Sequence, residues 1–166
     1  MKIAIYPGSF DPVTLGHLNI IKRASACFDR LIVCVMVNSS KRGMFVPEER
    51  VELLRRCTKR FSNVEVDFSN ELLAAYAKRR GATVVVKGLR AVSDYEQEVQ
   101  MAVINRKLNP DLETMFLASS EKYTYLSSTI VKEMARYGAN LAEFIPWEIV
   151  ETVNEKMQEL QERKVD

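Results

Sequence analysis

The chain of 166 residues has a single histidine, His17, and three cysteines. It has no run of 18 apolar residues, which is about the length that a membrane-spanning helix needs. It opens on a predicted strand rather than on a basic and then apolar leader, so neither export nor a membrane partner is expected, and we expect a cytoplasmic protein. Cys27, Cys34 and Cys57 lack the C-x-x-C spacing and fall in apolar stretches. This predicts reduced core thiols and no metal site.

Two common phosphate-binding motifs are missing. The six glycines are never two positions apart, which excludes G-x-G-x-x-G, and the sequence has no Walker A run. A dinucleotide-dependent oxidoreductase and a P-loop NTPase are therefore disfavoured. With 24 basic and 22 acidic residues the net charge is only +2, so no nucleic-acid partner is indicated. Any recognition of an anion must come from local placement of charge.

Short apolar runs alternate with helical patterns along the chain. The predicted strands are Ile3–Tyr6, Leu31–Val37, Val64–Phe68, Val84–Val86 and Met115–Leu117. The first three predicted helices cover about 16–26, a segment that opens at Val46–Glu49, and the 72–77 stripe, which ends near Gly81. A long fourth helix begins with a Ser93-x-x-Glu96 capping box and stops at Pro110. The last two cover 128–137, closed by Gly138, and about 146–163. This alternation predicts a single α/β domain over residues 1–166, with a C-terminal helical extension.

Right-handed crossovers in such a chain favour a Rossmann-like, doubly wound sheet of five parallel strands, with expected order 3-2-1-4-5. Each predicted strand runs into a polar segment: 8–17, 38–43, 69–71, 87–90 and 119–129. In open parallel sheets, ligands bind beyond the carboxyl ends of the strands, where the strand order reverses. All five segments are therefore expected to line one crevice.

The first of these segments is the most informative. Residues 8–17 read Gly-Ser-Phe-Asp-Pro-Val-Thr-Leu-Gly-His and connect a strand to a helix. A strand that turns through glycines into a helix directs backbone N–H groups and the positive end of the helix dipole at one point, which suits a phosphate. A lone histidine at a helix start is more often only structural, but Gly16 and the preceding strand favour a functional role for His17. Lys41, Lys87 and Arg90 could complement further phosphates, and Ser127–Thr129 offer hydroxyls at a helix start.

The run 8–17 resembles the signature of the nucleotidylyltransferase superfamily. Further segments extend the likeness: Lys41 with Met44–Phe45, Gly88–Val92, Asp94–Glu98 and Ser127–Glu133. Together, over about residues 1–147, they resemble the phosphopantetheine adenylyltransferase family. The resemblance implies transfer of AMP from ATP to 4′-phosphopantetheine, giving dephospho-coenzyme A and pyrophosphate. It also implies use of Mg²⁺ with ATP, a homohexamer and feedback binding of coenzyme A.

The resemblance also implies roles for individual residues. His17, Lys41 and Ser9 would be catalytic: His17 as a donor to the α-phosphate, Ser9 as a bridge between both phosphates, and Lys41 as a guide for the incoming phosphate. The groups that would hold ATP are Ser9, Phe10, His17, Gly88, Leu89, Arg90, Glu98, Tyr123, Thr124, Tyr125, Leu126, Ser127, Ser128 and Thr129. The acceptor side would be lined by Ser9, Lys41, Leu73 and Lys87.

Several alternatives remain open. By periodicity Leu73 fits a core position equally well, Glu98 fits a solvated partner on a helix, and Tyr123 and Tyr125 fit loop packing. Lys87 stands where the family commonly has arginine, so the charge is kept but the planar fork for bidentate phosphate binding is lost. Transfer to another phosphate, such as nicotinamide mononucleotide or glycerol phosphate, is a second hypothesis. A nucleotide-binding module without chemistry is a third.

Overall fold

The structure is a computed structural model, and it describes residues 1–37, 40 and 42–163. The described residues form one sheet of five parallel strands. These are β1 (Ile3–Gly8), β2 (Arg30–Met36), β3 (Val64–Ser69), β4 (Val84–Leu89) and β5 (Glu113–Ala118). Their order is β3-β2-β1-β4-β5, which confirms the predicted α/β fold and strand order. The point of reversal therefore lies between β1 and β4.

Helices connect the strands and complete the chain. They are α1 (Leu15–Ser25), α2 (Pro47–Thr58), α3 (Leu73–Arg80), α4 (Val92–Leu108), α5 (Ser128–Arg136) and α6 (Val150–Glu162). Short 3-10 turns cover Glu121–Tyr123, Leu141–Glu143 and Trp147–Ile149. The predicted last helix thus begins as a 3-10 turn, because Pro146 is extended with ψ 137°. In the described residues, no helix combines the length and the apolar character needed to cross a membrane.

Buried apolar side chains of the described residues fall into two clusters, one on each face of the sheet. Side chains alternate along the strands: Ala4 and Tyr6 point into one cluster, and Ile5 into the other. The larger cluster packs α1, α2, α5 and α6 against the sheet, and we call this side the thick face. The smaller cluster lies under α3 and includes Tyr76 and Leu112, and we call this side the thin face.

Two local predictions are wrong. Ser93 does not cap α4, because the helix begins at Val92 with Ala91 as its N-cap. The Asp94 carboxylate instead accepts the backbone N–H of Arg90 at 3.2 Å. Cys34 and Cys57 are buried as expected, but Cys27 is exposed because it lies just beyond the end of α1. Burial raises the pKa of the Cys34 thiol to about 11 and that of Cys57 to about 12.

Candidate active site

A cavity of about 360 Å³ opens at the carboxyl ends of β1 and β4, next to the loop that follows β5. The predicted site residues that line it are Ser9, His17, Lys87, Gly88, Arg90, Glu98, Tyr123, Leu126, Ser127, Ser128 and Thr129. They come from four separate segments of the chain. The first, fourth and fifth polar segments therefore converge on one crevice as expected. The expectation is wrong for the third segment, because residues 69–71 line a different cavity, next to Val37 and Pro47.

Other predicted residues lie elsewhere. Leu73 lines a neighbouring cavity of about 160 Å³, together with Met101 and Asn105. Lys87 and Glu98 line both cavities, so they mark the boundary between the two. Leu89, Thr124 and Tyr125 are described residues outside the lining of the larger cavity. Lys41 lies outside the described residues.

His17 is fixed by the start of its own helix. Thr14 is the N-cap of α1, and its Oγ1 accepts the backbone N–H of His17 at 3.2 Å. In return the backbone N–H of Thr14 donates to Nδ1 of the imidazole at 3.0 Å. This is a capping box with histidine in the third helical position, where glutamate is usual. Because Nδ1 accepts a hydrogen bond, the proton of the neutral ring is assigned to Nε2.

The surroundings of His17 keep the ring neutral. Burial lowers its pKa from 6.5 to about 4, and the positive charge of Arg90 adds to the effect. The ring packs edge-on against Phe10, with the centroids 5.0 Å apart, and Tyr6 lies 6.5 Å away. Near neutral pH His17 is thus an uncharged N–H donor in the wall of the crevice.

Phe10 supports His17 from behind the crevice. The residue as a whole is only 1% exposed, so its ring belongs to the core, and Phe10 is not part of the lining of the larger cavity. The residue has a φ of 46°, which is uncommon for a side chain larger than glycine. A Cβ on Gly8 would come within 3.0 Å of the Phe10 ring. The glycine therefore leaves the room in which the ring packs under the loop.

Basic side chains line the crevice at the end of β4. Nζ of Lys87 lies 3.2 Å from Oε2 of Glu98. Arg90 donates from Nη1 to the carbonyl oxygen of Leu126 at 2.9 Å, and its Nε lies 3.3 Å from the Asp94 carboxylate. Arg90 thereby holds the loop that follows β5 against β4.

That loop ends in the first turn of α5. Ser127 is the N-cap, and its hydroxyl oxygen accepts the N–H of Ile130 at 3.2 Å. Ser128 donates from its hydroxyl to the carbonyl oxygen of Pro12 at 2.8 Å, which ties α5 to the β1–α1 loop. The N-terminus of α5 therefore faces the same cavity as His17, where the positive end of the helix dipole suits an anion.

Sequence reasoning missed the buried pair of Asp11 and Arg50. Asp11 lies in the 8–17 motif without a role assigned to it, and Arg50 is one of several charged residues on α2. In the structure Nε of Arg50 lies 3.4 Å from Oδ1 of Asp11. The two residues are 39 positions apart, so no local pattern could have paired them. Within the described part of the chain, no group of three or more His, Cys, Asp or Glu side chains is arranged to hold a metal ion.

Comparisons with known proteins agree with this geometry. Residues 5–134 match the family model described as cytidylyltransferase-like. A phosphopantetheine adenylyltransferase of Caldanaerobacter subterraneus subsp. tengcongensis is 54% identical over 158 residues, which cover 95% of this chain and 99% of that protein. The chain belongs to the phosphopantetheine adenylyltransferase family. The member of this family from Alkaliphilus metalliredigens is 51% identical over 94% of this chain and 99% of its own length.

A more distant likeness supports the fold alone. The nicotinic acid mononucleotide adenylyltransferase of Plasmodium falciparum, solved in complex with NaAD, superposes with a TM-score of 0.64 at 13% identity. The match covers 96% of this chain and 95% of the other. The architecture of the family is therefore found in a protein that differs in most of its side chains.

Proposed function

We propose that this chain transfers the adenylyl group of ATP to 4′-phosphopantetheine, giving dephospho-coenzyme A and pyrophosphate. The acceptor is the one that names the relatives, at 54% and 51% identity over nearly the whole chain. The observation that carries the chemistry is the crevice in which a neutral His17 lies with Lys87, Arg90 and the start of α5. This set of groups suits the transfer of an adenylyl group from the phosphoanhydride of ATP to a phosphate.

The reaction makes modest demands on the protein. A phosphate oxygen of the acceptor forms a bond to the α-phosphorus of ATP, and the bond from that phosphorus to the β-bridging oxygen breaks. Pyrophosphate leaves with the electron pair. Because the acceptor phosphate is already ionised near neutral pH, no protein nucleophile is required, and catalysis depends on placement and on stabilisation of charge. His17 would donate from Nε2 to an α-phosphate oxygen as charge builds there.

Ser9 and Lys41 are proposed to handle the acceptor phosphate. Ser9 lines the crevice at the end of β1, which supports a bridge to both phosphates through its hydroxyl and N–H. The role of Lys41, guiding the incoming phosphate, rests on the sequence motif alone. Leu73 and Lys87 would line the pantetheine side, and the smaller cavity that they share supports this assignment.

The remaining predicted groups are proposed to hold ATP. Their support is proximity to the crevice: Gly88, Arg90, Glu98, Tyr123 and Leu126–Thr129 line it, and Leu89, Thr124 and Tyr125 adjoin them in the chain. Phe10 would contribute by packing its ring against that of His17. Mg²⁺ is proposed to arrive on the triphosphate, where it would neutralise negative charge. Delivery of Mg²⁺ by the triphosphate fits the crevice, because the protein groups proposed there are mainly hydroxyls, N–H groups and cations.

We also propose that the chain is one nucleotidylyltransferase domain that works in the cytoplasm as a homohexamer. Assembly is supported by apolar side chains left exposed on α4 and β5: Val92, Tyr95, Met101, Val103, Ile104, Leu108 and Met115. Large apolar side chains left exposed together on a helix and a nearby strand are common at interfaces. Coenzyme A contains both the phosphopantetheine and the adenylate parts of the product, so we propose that it competes for the same crevice.

The test is a product assay. The purified chain is mixed with ATP, Mg²⁺ and one of three acceptors: 4′-phosphopantetheine, nicotinamide mononucleotide or glycerol phosphate. Mass spectrometry should find dephospho-coenzyme A and equimolar pyrophosphate with the first acceptor only. Adenylylation of another acceptor would reassign the substrate. Binding of ATP without pyrophosphate release in any mixture would contradict an enzymatic role.

His17→Ala tests the mechanism in the same assay. Removing one preorganised donor costs about 2.7–4 kcal/mol of transition-state stabilisation, so turnover should fall by about 10²–10³-fold while ATP still binds. Cys27→Ser is the control, because it changes an exposed side chain beyond the end of α1. Turnover of His17→Ala equal to the control would refute the proposed role of the imidazole.

A further inference from the structure

The carboxylate of Asp11 is buried and has partners from three segments of the chain. Its Oδ2 accepts the backbone N–H of Met44 at 2.8 Å, and its Oδ1 accepts that of Phe45 at 2.9 Å. Nε of Arg50 lies 3.4 Å from Oδ1, and Nζ of Lys132 lies 3.5 Å from Oδ2. One side chain thus joins the β1–α1 loop to the start of α2 and to α5.

Arg50 extends this connection to the crevice. Its side chain is 10% exposed, and Nε also donates to the carbonyl oxygen of Phe45 at 2.8 Å. Nη1 donates to the carbonyl oxygen of Ser9 at 3.4 Å. Ser9 lines the crevice where His17 lies. The guanidinium therefore connects the backbone before α2 with the backbone of a proposed phosphate-binding residue.

Gly43 leaves the space for the guanidinium. A Cβ at this position would overlap Nη2 of Arg50 and would lie 2.8 Å from Oδ2 of Asp11. Real Cβ atoms do not approach other atoms so closely, so any side chain at position 43 would displace the pair. The pair therefore packs against the main chain at Gly43. Asp11 accepts main-chain N–H groups of Met44 and Phe45, and Arg50 donates to main-chain carbonyl oxygens.

We propose that Asp11 and Arg50 are positioning residues that hold the main chain of Ser9 and thereby place the Ser9 hydroxyl for phosphate transfer, an inference that rests on the proposed function. A buried ion pair is weak as a source of net stability, because desolvation offsets the attraction. Its several directed hydrogen bonds do fix geometry. A displacement of about 1 Å near a reacting phosphate can cost about 10²-fold in rate, so the pair acts through the placement of Ser9.

Arg50→Lys is the test variant. Lysine keeps the charge beside Asp11 but has no fork with which to reach Phe45 and Ser9 at the same time. We expect kcat to fall by about 10²-fold, with the KM for ATP within about twofold of the parent. Arg55→Lys, an exposed position on the same helix, is the matched control and should leave both constants unchanged.

A double-mutant cycle with Ser9→Ala separates positioning from a merely structural role. In the Ser9→Ala background Arg50→Lys should cost much less than in the parent, because part of what it positions is gone. Equal losses in both backgrounds, or a kcat equal to that of Arg55→Lys, would overturn the inference. If Ser9→Ala alone leaves kcat unchanged, the proposed role of the Ser9 hydroxyl fails, and the positioning role fails with it. Should Arg50→Lys not fold, Gly43→Ala displaces the same guanidinium and is assayed in the same cycle.

Discussion

The two faces of the sheet are built differently. On the thick face four helices pack on the strands, and His17 and the start of α5 belong to this side. On the thin face a small cluster lies under α3, and α4 leaves much of its apolar surface in solvent. The proposed donor is therefore carried by the well-packed side, and the proposed acceptor cavity lies beside the sparsely covered one. Tight packing on the thick face keeps the proposed catalytic groups in place. The open thin face leaves surface for the proposed acceptor and for the proposed assembly.

The largest difference should appear on truncation of matched leucines. Leu54 is fully buried on the thick face, and Leu108 is 56% exposed on α4. Leu54→Ala should lower the free energy of unfolding by about 2–5 kcal/mol. Leu108→Ala should change it by less than about 0.5 kcal/mol. Urea unfolding at equal protein concentration measures both. Similar losses would show that α4 is buried in solution.

The next effect concerns protonation of His17, which a ¹⁵N NMR titration can follow without overlap because it is the only histidine. The pKa should be about 4, with the proton of the neutral ring on Nε2. Arg90→Met should raise this pKa, since the Arg90 charge lowers it. A midpoint near 6.5 would mean that the ring is solvated.

The same shift makes stability depend on pH. Between about 4 and 6.5 the unfolded chain binds the proton of His17 and the folded chain does not. The contribution of His17 to stability is thus fully present above pH 6.5 and is lost as the pH falls to about 4. Denaturant midpoints across this range should fall less in His17→Ala than in the parent.

Ile104→Glu should change the free energy of unfolding less than these variants do, but it should lower the mass of the assembly. Met101, Ile104 and Leu108 are spaced to share one side of α4, and all three are exposed. A carboxylate in the middle of this row should weaken assembly, which sedimentation velocity would detect as a smaller species. Gln158→Glu, an exposed position on α6, adds the same charge behind the thick face and should leave the mass unchanged. If both variants keep the parent's assembly state, α4 is not the interface.

The smallest effect is expected at the boundary of the two cavities. Lys87→Arg keeps the charge beside Glu98 and restores the planar fork. The KM for the acceptor should fall or stay within about fivefold, which corresponds to about 1 kcal/mol. A large increase in KM would show that the site is shaped for lysine.

Much of the fold follows from the sequence because its signals are local. The short apolar runs that predict β1 to β5 and the glycine after α3 are recognised within a few residues, and handedness then restricts the order of the strands. The prediction for Ser93 is wrong because α4 begins at Val92, which places Ser93 inside the first turn, and the Asp94 carboxylate accepts the backbone N–H of Arg90. The pairing of Arg50 with Asp11 depends on a contact between distant segments, which a pattern along the chain does not encode.

The strand order also matters during synthesis. β1 is made first, yet it pairs with β4 on one side, and β4 begins only at Val84. Until then β1 to β3 can form a three-stranded sheet whose β1 edge has open N–H and C=O groups. A nascent chain paused before this point would offer that edge to other chains, so aggregation of translation intermediates should be greatest for fragments that end before residue 84.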